Sequence, residues 1–467
     1  MLVVGMVSLI AFFGDARLSA LTSSERSAVA APDDTKKINI NGAVPLFDDD
    51  LVHEIEFTFD PADYTRMIAT YQSQGVKDFI EATVTLDGTT IHSVGIRLKG
   101  NSTLGSLRRA GTAGGNAGRG VPGGGGGPAG GAGPGGVVLS VDKPESMPWL
   151  ISFDEFIDGQ RYEGFEQLAL RPASGAGLAE ALALGLVGVA GEPTQRSMYT
   201  SLSVNGGAPV LRLVVEIPDS EYADDNFDGD GVLYKALSSG RFTYLGDDPL
   251  SYTNAFKQIT NKKQQDLKPV IELLKWVSQV SDEEFAADLG EHVDIDSFAA
   301  YVAIQDLLGN FDDMAGPGSN YYLWYDLETA KFTVLSWDLN LAFGGLGRGG
   351  GGVVNVAPGG VPPPGGVNVP PPGAVIVGPG GPGGAGGFGG RGGNALKTKF
   401  VAAPAFAAVR ERARAEVKQA MYGSGAAATE VARLKALVAS SGLISASTID
   451  NEASALLSRT QQLAAAP

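Results

Sequence analysis

The chain of 467 residues contains no cysteine and only three histidines. The first absence excludes a disulfide framework, a thiol nucleophile, an iron–sulfur cluster and a cysteine zinc site; the second argues against a polyhistidine metal centre. Positive charge is also short, since 35 Lys and Arg face 52 Asp and Glu, for a net charge of −17. Binding a phosphate backbone needs clustered basic side chains, so no nucleic-acid partner is expected, and cationic partners or metal ions fit the balance better. What is present is ample apolar material: a hydrophobic share of 43% with 20 phenylalanines supports a sizeable core.

Glycine is abundant, at 66 residues, but more than half of it lies in two Gly/Pro-rich segments, 110–138 and 345–394. Segments without large side chains do not offset their ordering entropy, so both read as loosely ordered insertions. At the amino terminus an apolar run over 2–13 is too short to span a bilayer as a lone helix but suits a signal-peptide core, and small residues follow it. Residues 1–31 therefore read as a signal-peptide-like or anchoring segment, with a buried amino-terminal segment as the alternative. The corresponding expectation is export to the extracellular space or cell envelope, with the membrane met only through that segment.

Alternating apolar and polar residues predict strands over 47–59, 79–87 and 89–99, the last two joined by the Asp87-Gly88 turn. Further strands are expected at 149–156, 197–204, 210–216 and 231–236. A short helix is expected at 61–71, an apolar helix at 178–189, and helices at 267–280 and 295–308 from apolar spacing of three and four. A hairpin follows over 321–325 and 331–337, then alanine-rich helices at 405–421 and 427–438 and a small-residue tail. The order is β-rich first and α-rich second, an α+β pattern.

Acidic residues gather between 310 and 343. Asp312 and Asp313 precede the breaker Gly316-Pro317-Gly318, Asn320 opens the next strand, and Asp338 and Asn340 follow the strand after it. A hairpin with acids at one end can bring two carboxylates and an amide together, the oxygen set that hard cations such as Mg²⁺ accept. The alternative is structural: Asp312 and Asp313 end a helix and Asp338 caps a turn.

Four segments in order, 94–102 (VGIRLKGNS), 215–235 (VE followed by GVLYK), 310–312 with 320–323 (NYYL), and 331–343 (KFTVLSWDLNLAF), resemble the CotH family of spore-coat-protein-H type atypical kinases. The resemblance spans about 47–412, leaving helices and the tail over 413–467. It implies an atypical protein-kinase-like bilobal fold, β-rich in its N-terminal half and α-rich in its C-terminal half, with a β hairpin at the active site. It also implies transfer of the ATP γ-phosphate to Ser or Thr of exported or coat proteins, with Mg²⁺ or Mn²⁺ as cofactor. By motif, Asp312 matches the catalytic-loop aspartate and Asp338 the metal aspartate, with Asn320 as a supporting ligand. Asn340 stands where the family usually has a second acid and would ligate more weakly. Arg97, Lys99 and Lys235 would face the phosphates, and Glu216 would pair with one of these bases.

Two other readings remain: a non-catalytic surface or assembly scaffold on the same fold, and a Ca²⁺-dependent matrix protein. The second rests on 224–230 (DDNFDGD), which is similar to the first half of an EF-hand loop but has Lys235 where a bidentate Glu is needed. His53, His92 and His292 are widely separated and read as strand or helix surface residues.

Overall fold

The computed structural model describes residues 37–101, 103–105, 107, 139–345 and 393–466. Segments 1–31 and 110–138, and all of 345–394 but its ends, lie outside the described residues, as do the readings placed on them.

Seven strands close into a barrel in the order β2 (Val52–Thr58), β3 (Ile80–Leu86), β4 (Thr89–Leu98), β5 (Trp149–Ser152), β7 (Gln167–Leu170), β9 (Val210–Glu216) and β8 (Ser197–Val204). The pairings are antiparallel except the parallel β8–β2 pair that closes the ring. Alternation explains the closure: Ile55, Phe57, Val84, Ile96, Trp149 and Leu168 point inward to one core, while intervening polar residues face out. Asp87 and Gly88, at φ 45° and 81°, form the expected tight turn between β3 and β4. Strand β1 (Ile38–Ile40) pairs with β6 (Gln160–Tyr162) outside the barrel.

A second, four-stranded sheet runs β11 (Phe256–Gln258), β10 (Gly231–Ala236), β12 (Tyr321–Asp326), β13 (Phe332–Ser336). The helices are α1 (Pro61–Gln74), α2 (Leu178–Val189), α3 (Ser220–Asn226), α4 (Lys268–Gln279), α5 (Asp282–His292), α6 (Ile295–Leu307), α7 (Ala395–Ala402), α8 (Ala407–Lys418), α9 (Ala426–Ser440) and α10 (Ala446–Ala465). Helix α2 is apolar on nearly all sides because it is covered on nearly all sides: its leucines share a core with the barrel strands β8 and β9 and with α6, α9 and α10.

The α+β class holds. Several local expectations do not. The strand expected over 149–156 ends at Ser152, and β6, β7, β11, α3 and α5 come where no element was predicted. The small-residue tail is instead the twenty-residue helix α10, which buries Ile449, Ala453, Leu456 and Leu463; alanine's high helix propensity suits it to that state. The EF-hand-like reading finds no support, because Asp224 and Asn226 belong to α3, capped by Asp219, and among the described residues the acids of 224–230 do not gather into a metal-holding group.

Candidate active site

The site forms where the barrel meets the sheet. Lys99 stands just past β4, its backbone N–H donating to the Pro148 carbonyl at 3.0 Å. Lys235 projects from β10, opposite Tyr322 in register. Both ammonium groups lie over the ring of Trp337, at 5.3 and 4.5 Å from its centroid, and the Arg171 guanidinium stands 5.8 Å from it. Among the described residues no carboxylate forms an ion pair with either lysine, so the aromatic face is their nearest compensation. Burial, together with the charges of Lys235, Arg171 and Arg97, drives the Lys99 pKa well below its ordinary value despite the favourable field of Asp338. Burial likewise brings Lys235 down to about 8, with Asp338 opposing and Lys257, Arg171 and Arg97 adding to the fall. Arg97 is half-buried with its guanidinium 4.9 Å above Phe79, and its charge reaches both lysines.

Asp338 follows β13 in the left-handed region, at φ 54° and ψ 56°, a strained placement for a residue with a side chain. Its carboxylate lies 3.0 Å from the Arg171 guanidinium, which pairs on its other side with Glu180 of α2. Those two carboxylates outweigh burial and keep Arg171 firmly protonated. Asn340, in the turn after Asp338, lines a recess with Arg171, Glu180 and the 172–177 loop.

Asp312 occupies the loop after α6. Its carboxylate accepts the Gly318 N–H at 2.6 Å and the Asn320 amide at 3.1 Å, and the same amide donates to the Asp312 carbonyl at 3.0 Å. The breaker sequence is what permits this: a Cβ on Gly316 would lie 2.4 Å from the Asp312 Cα, and one on Gly318 2.6 Å from its carboxylate. Burial raises the Asp312 pKa, as do the charges of Asp338 and Asp313, while the two donors oppose the rise. Asn310 supports the loop by donating to Gln305 at 2.7 Å, and Gln305 donates to Ser336 Oγ at 2.7 Å, so loop and hairpin share one buried polar chain.

Of the residues read from sequence, Lys99, Lys235 and Asp338 therefore come together, Asp312 and Asn320 adjoin each other within the field of Asp338, and Arg97 stands behind the lysines. Glu216 does not join them. Its carboxylate accepts from the Arg196 backbone N–H and guanidinium at 2.9, 3.2 and 2.7 Å, because β9 ends beside the residue that precedes β8. The ion pair that does stand at the site joins Glu180 of α2 to Arg171. Both were missed, although Glu180 is the sole charge in the apolar helix LAEALALGLVGV, and a carboxylate buried there needs a cationic partner. Asp313, also acidic in the same loop, is spent on an ion pair with Lys397 of α7.

Among the described residues no three acidic or histidine side chains gather to hold a metal unaided. Asp338 acts on Asp312 through its charge, so two carboxylates share this part of the site.

The sequence model of a family described as CotH kinase protein matches residues 141–370. The chain carries a CotH family domain. That match takes in Arg171, Glu180, Lys235, Asp312, Asn320, Asp338 and Asn340, whereas Arg97 and Lys99 precede it. No curated protein matches the chain.

Proposed function

We propose that this CotH domain protein is an ATP-dependent protein kinase that transfers the γ-phosphate to Ser or Thr of exported or coat proteins. The observation that carries the reading is the trio Lys99, Lys235 and Arg171 around Trp337. Two ammonium groups without carboxylate partners, in surroundings that disfavour their charge, suit a polyanion that would restore it. The barrel and the sheet-with-helices then play the parts of the two lobes of a kinase-like fold, with the nucleotide between them.

ATP would supply the phosphoryl group, and Mg²⁺ or Mn²⁺ the neutralising charge. Asp338, oriented by Arg171, is the residue to hold the metal, with Asn340 and the Asn320 carbonyl oxygen as weaker donors. Asp312 accepts the proton of the substrate hydroxyl, a role its raised pKa favours. Asn320 and Gly318 fix that carboxylate. Lys99 and Lys235 bind phosphate oxygens, and Arg97 reinforces their field. Export through the 1–31 segment completes the proposal.

A melting shift on adding ATP with Mg²⁺ or Mn²⁺, followed by label transfer from γ-labelled ATP, tests it. Asp312→Ala and Asp338→Ala should each abolish labelling. Absence of both shift and label defeats the reading. Nucleotide binding without transfer would favour the scaffold alternative, for which Asn340 in place of an acid is the specific support.

A further inference from the structure

The helix that carries Glu180 is capped by a residue from the far end of the chain. Glu452 of α10 accepts the backbone N–H of Ala176 at 2.9 Å and that of Leu178 at 2.6 Å. Gly177 between them is left-handed, at φ 66°, and provides no side-chain cap. The first helical N–H of α2, that of Leu178, and the Ala176 N–H just before the cap therefore depend on this carboxylate, which also sits at the positive end of the helix. The contact is built in: Ile449, Ala453 and Leu456 of α10 pack in one core with Leu182, Leu186 and Leu339. Tyr199 fixes the same corner by donating to the Gly177 carbonyl at 3.0 Å. Glu180 lies two residues beyond Leu178 and pairs with Arg171, which pairs with Asp338.

We propose that Glu452 is a positioning residue for the nucleotide site: it fixes the start of α2, sets Glu180 against Arg171, and through Arg171 orients Asp338. The inference rests on the kinase reading above. It makes α10, which lies beyond the family-matched segment, part of the working machinery.

The test uses the full chain. In Glu452→Ala the two N–H groups lose their acceptor, and kcat for label transfer should fall about tenfold while KM for ATP changes little. Acetate in the assay should restore much of that loss in Glu452→Ala and none of it in Glu452→Leu, where the site is filled. Amide exchange at 176–180 should quicken in Glu452→Ala and slow again with acetate. Unchanged kcat overturns the proposal, and so does a loss that ignores acetate. If Glu452→Ala does not fold, Glu452→Gln, which keeps one acceptor oxygen, should show an intermediate kcat, and a wild-type rate would overturn the idea. If the wild-type chain transfers no label, the kinase reading fails separately: acetate-reversible exchange at 176–180 then still supports the clamp, and unaltered exchange refutes it.

Discussion

Gly318 donates its backbone N–H to the Asp312 carboxylate at 2.6 Å, and a Cβ on Gly318 would lie 2.6 Å from that carboxylate. The hydrogen bond and the missing side chain are one requirement, because the donor reaches the acid only if nothing stands between them. Gly318→Ala should therefore displace Asp312, lowering label transfer by about tenfold or more at a stability cost of roughly 1–3 kcal/mol. Initial rates and denaturant melts would measure both; a wild-type rate would show that Asp312 needs no such support.

Nucleotide affinity should depend on pH through Lys99 and Lys235. Both are bases with depressed pKa in the free protein, Lys235 at about 8. An anion beside them raises those values, so binding takes up protons, and affinity falls as pH rises through and above the free-state values. Calorimetry in buffers of different ionisation enthalpy would detect the uptake near pH 8, and Lys235→Met should reduce it. A buffer-independent enthalpy would contradict the arrangement.

Asn340→Asp returns a carboxylate to the turn beside Asp338. The metal concentration for half-maximal labelling should fall by about tenfold, since a carboxylate ligates a hard cation more tightly than an amide. A titration with Mn²⁺ reads the change directly. An unchanged or higher requirement would place Asn340 outside the ligand set.

At the far end of the barrel, His53 is fully buried, not on the surface as expected, because both ring nitrogens are satisfied: Nδ1 is 2.7 Å from Asp87 and Nε2 2.9 Å from the Asp48 carbonyl. Burial lowers its pKa, but these bonds and the charges of Asp87 and Asp48 prevail and raise it, while the Asp87 pKa is lowered. A histidine that binds its proton more tightly when folded contributes stability in full below its unfolded value of about 6.5 and loses it as pH rises through the folded value. Glu192, raised to about 7, and Asp219, raised to about 6, slope the same way over lower pH. Melting curves of wild type and His53→Gln from pH 6 to 8 isolate the histidine share. The variant should melt lower at pH 6 and approach wild type at pH 8.

Much of this architecture is legible from local pattern. Helix α2 is legible as a long apolar run, and strands β8, β9 and β10 as six- to eight-residue stretches rich in β-branched and other apolar residues. Strands β6, β7 and β11 are three or four residues long and carry no period to read. Helix α5 buries only Phe285 and Leu289, yet its Ser281–Glu284 capping box was a usable signal. Within the site, Asp312, Asn320 and Asp338 are legible because one hairpin brings them close. Lys99 and Arg171 meet because β4 and β7 both pair with β5 and end together in the barrel, and Lys235 joins them from β10 of the second sheet, a juxtaposition that no short window contains. Glu216 shows the limit of reading a partner from charge alone: the nearest cation was Arg196, adjacent through strand pairing.

Lys397 binds Asp313, in the loop that also holds Asp312, and the Phe343 N–H donates to the Leu308 carbonyl at 2.6 Å. The described residues on either side of 346–392 thus attach to the same short stretch, 308–313. Both attachment points are held by contacts among described residues, which makes this a natural port for grafting. Closure entropy grows only slowly with length, by about 0.6 kcal/mol per doubling. Peptides of widely different size could be spliced between these anchors, each delivered beside the Asp312 loop.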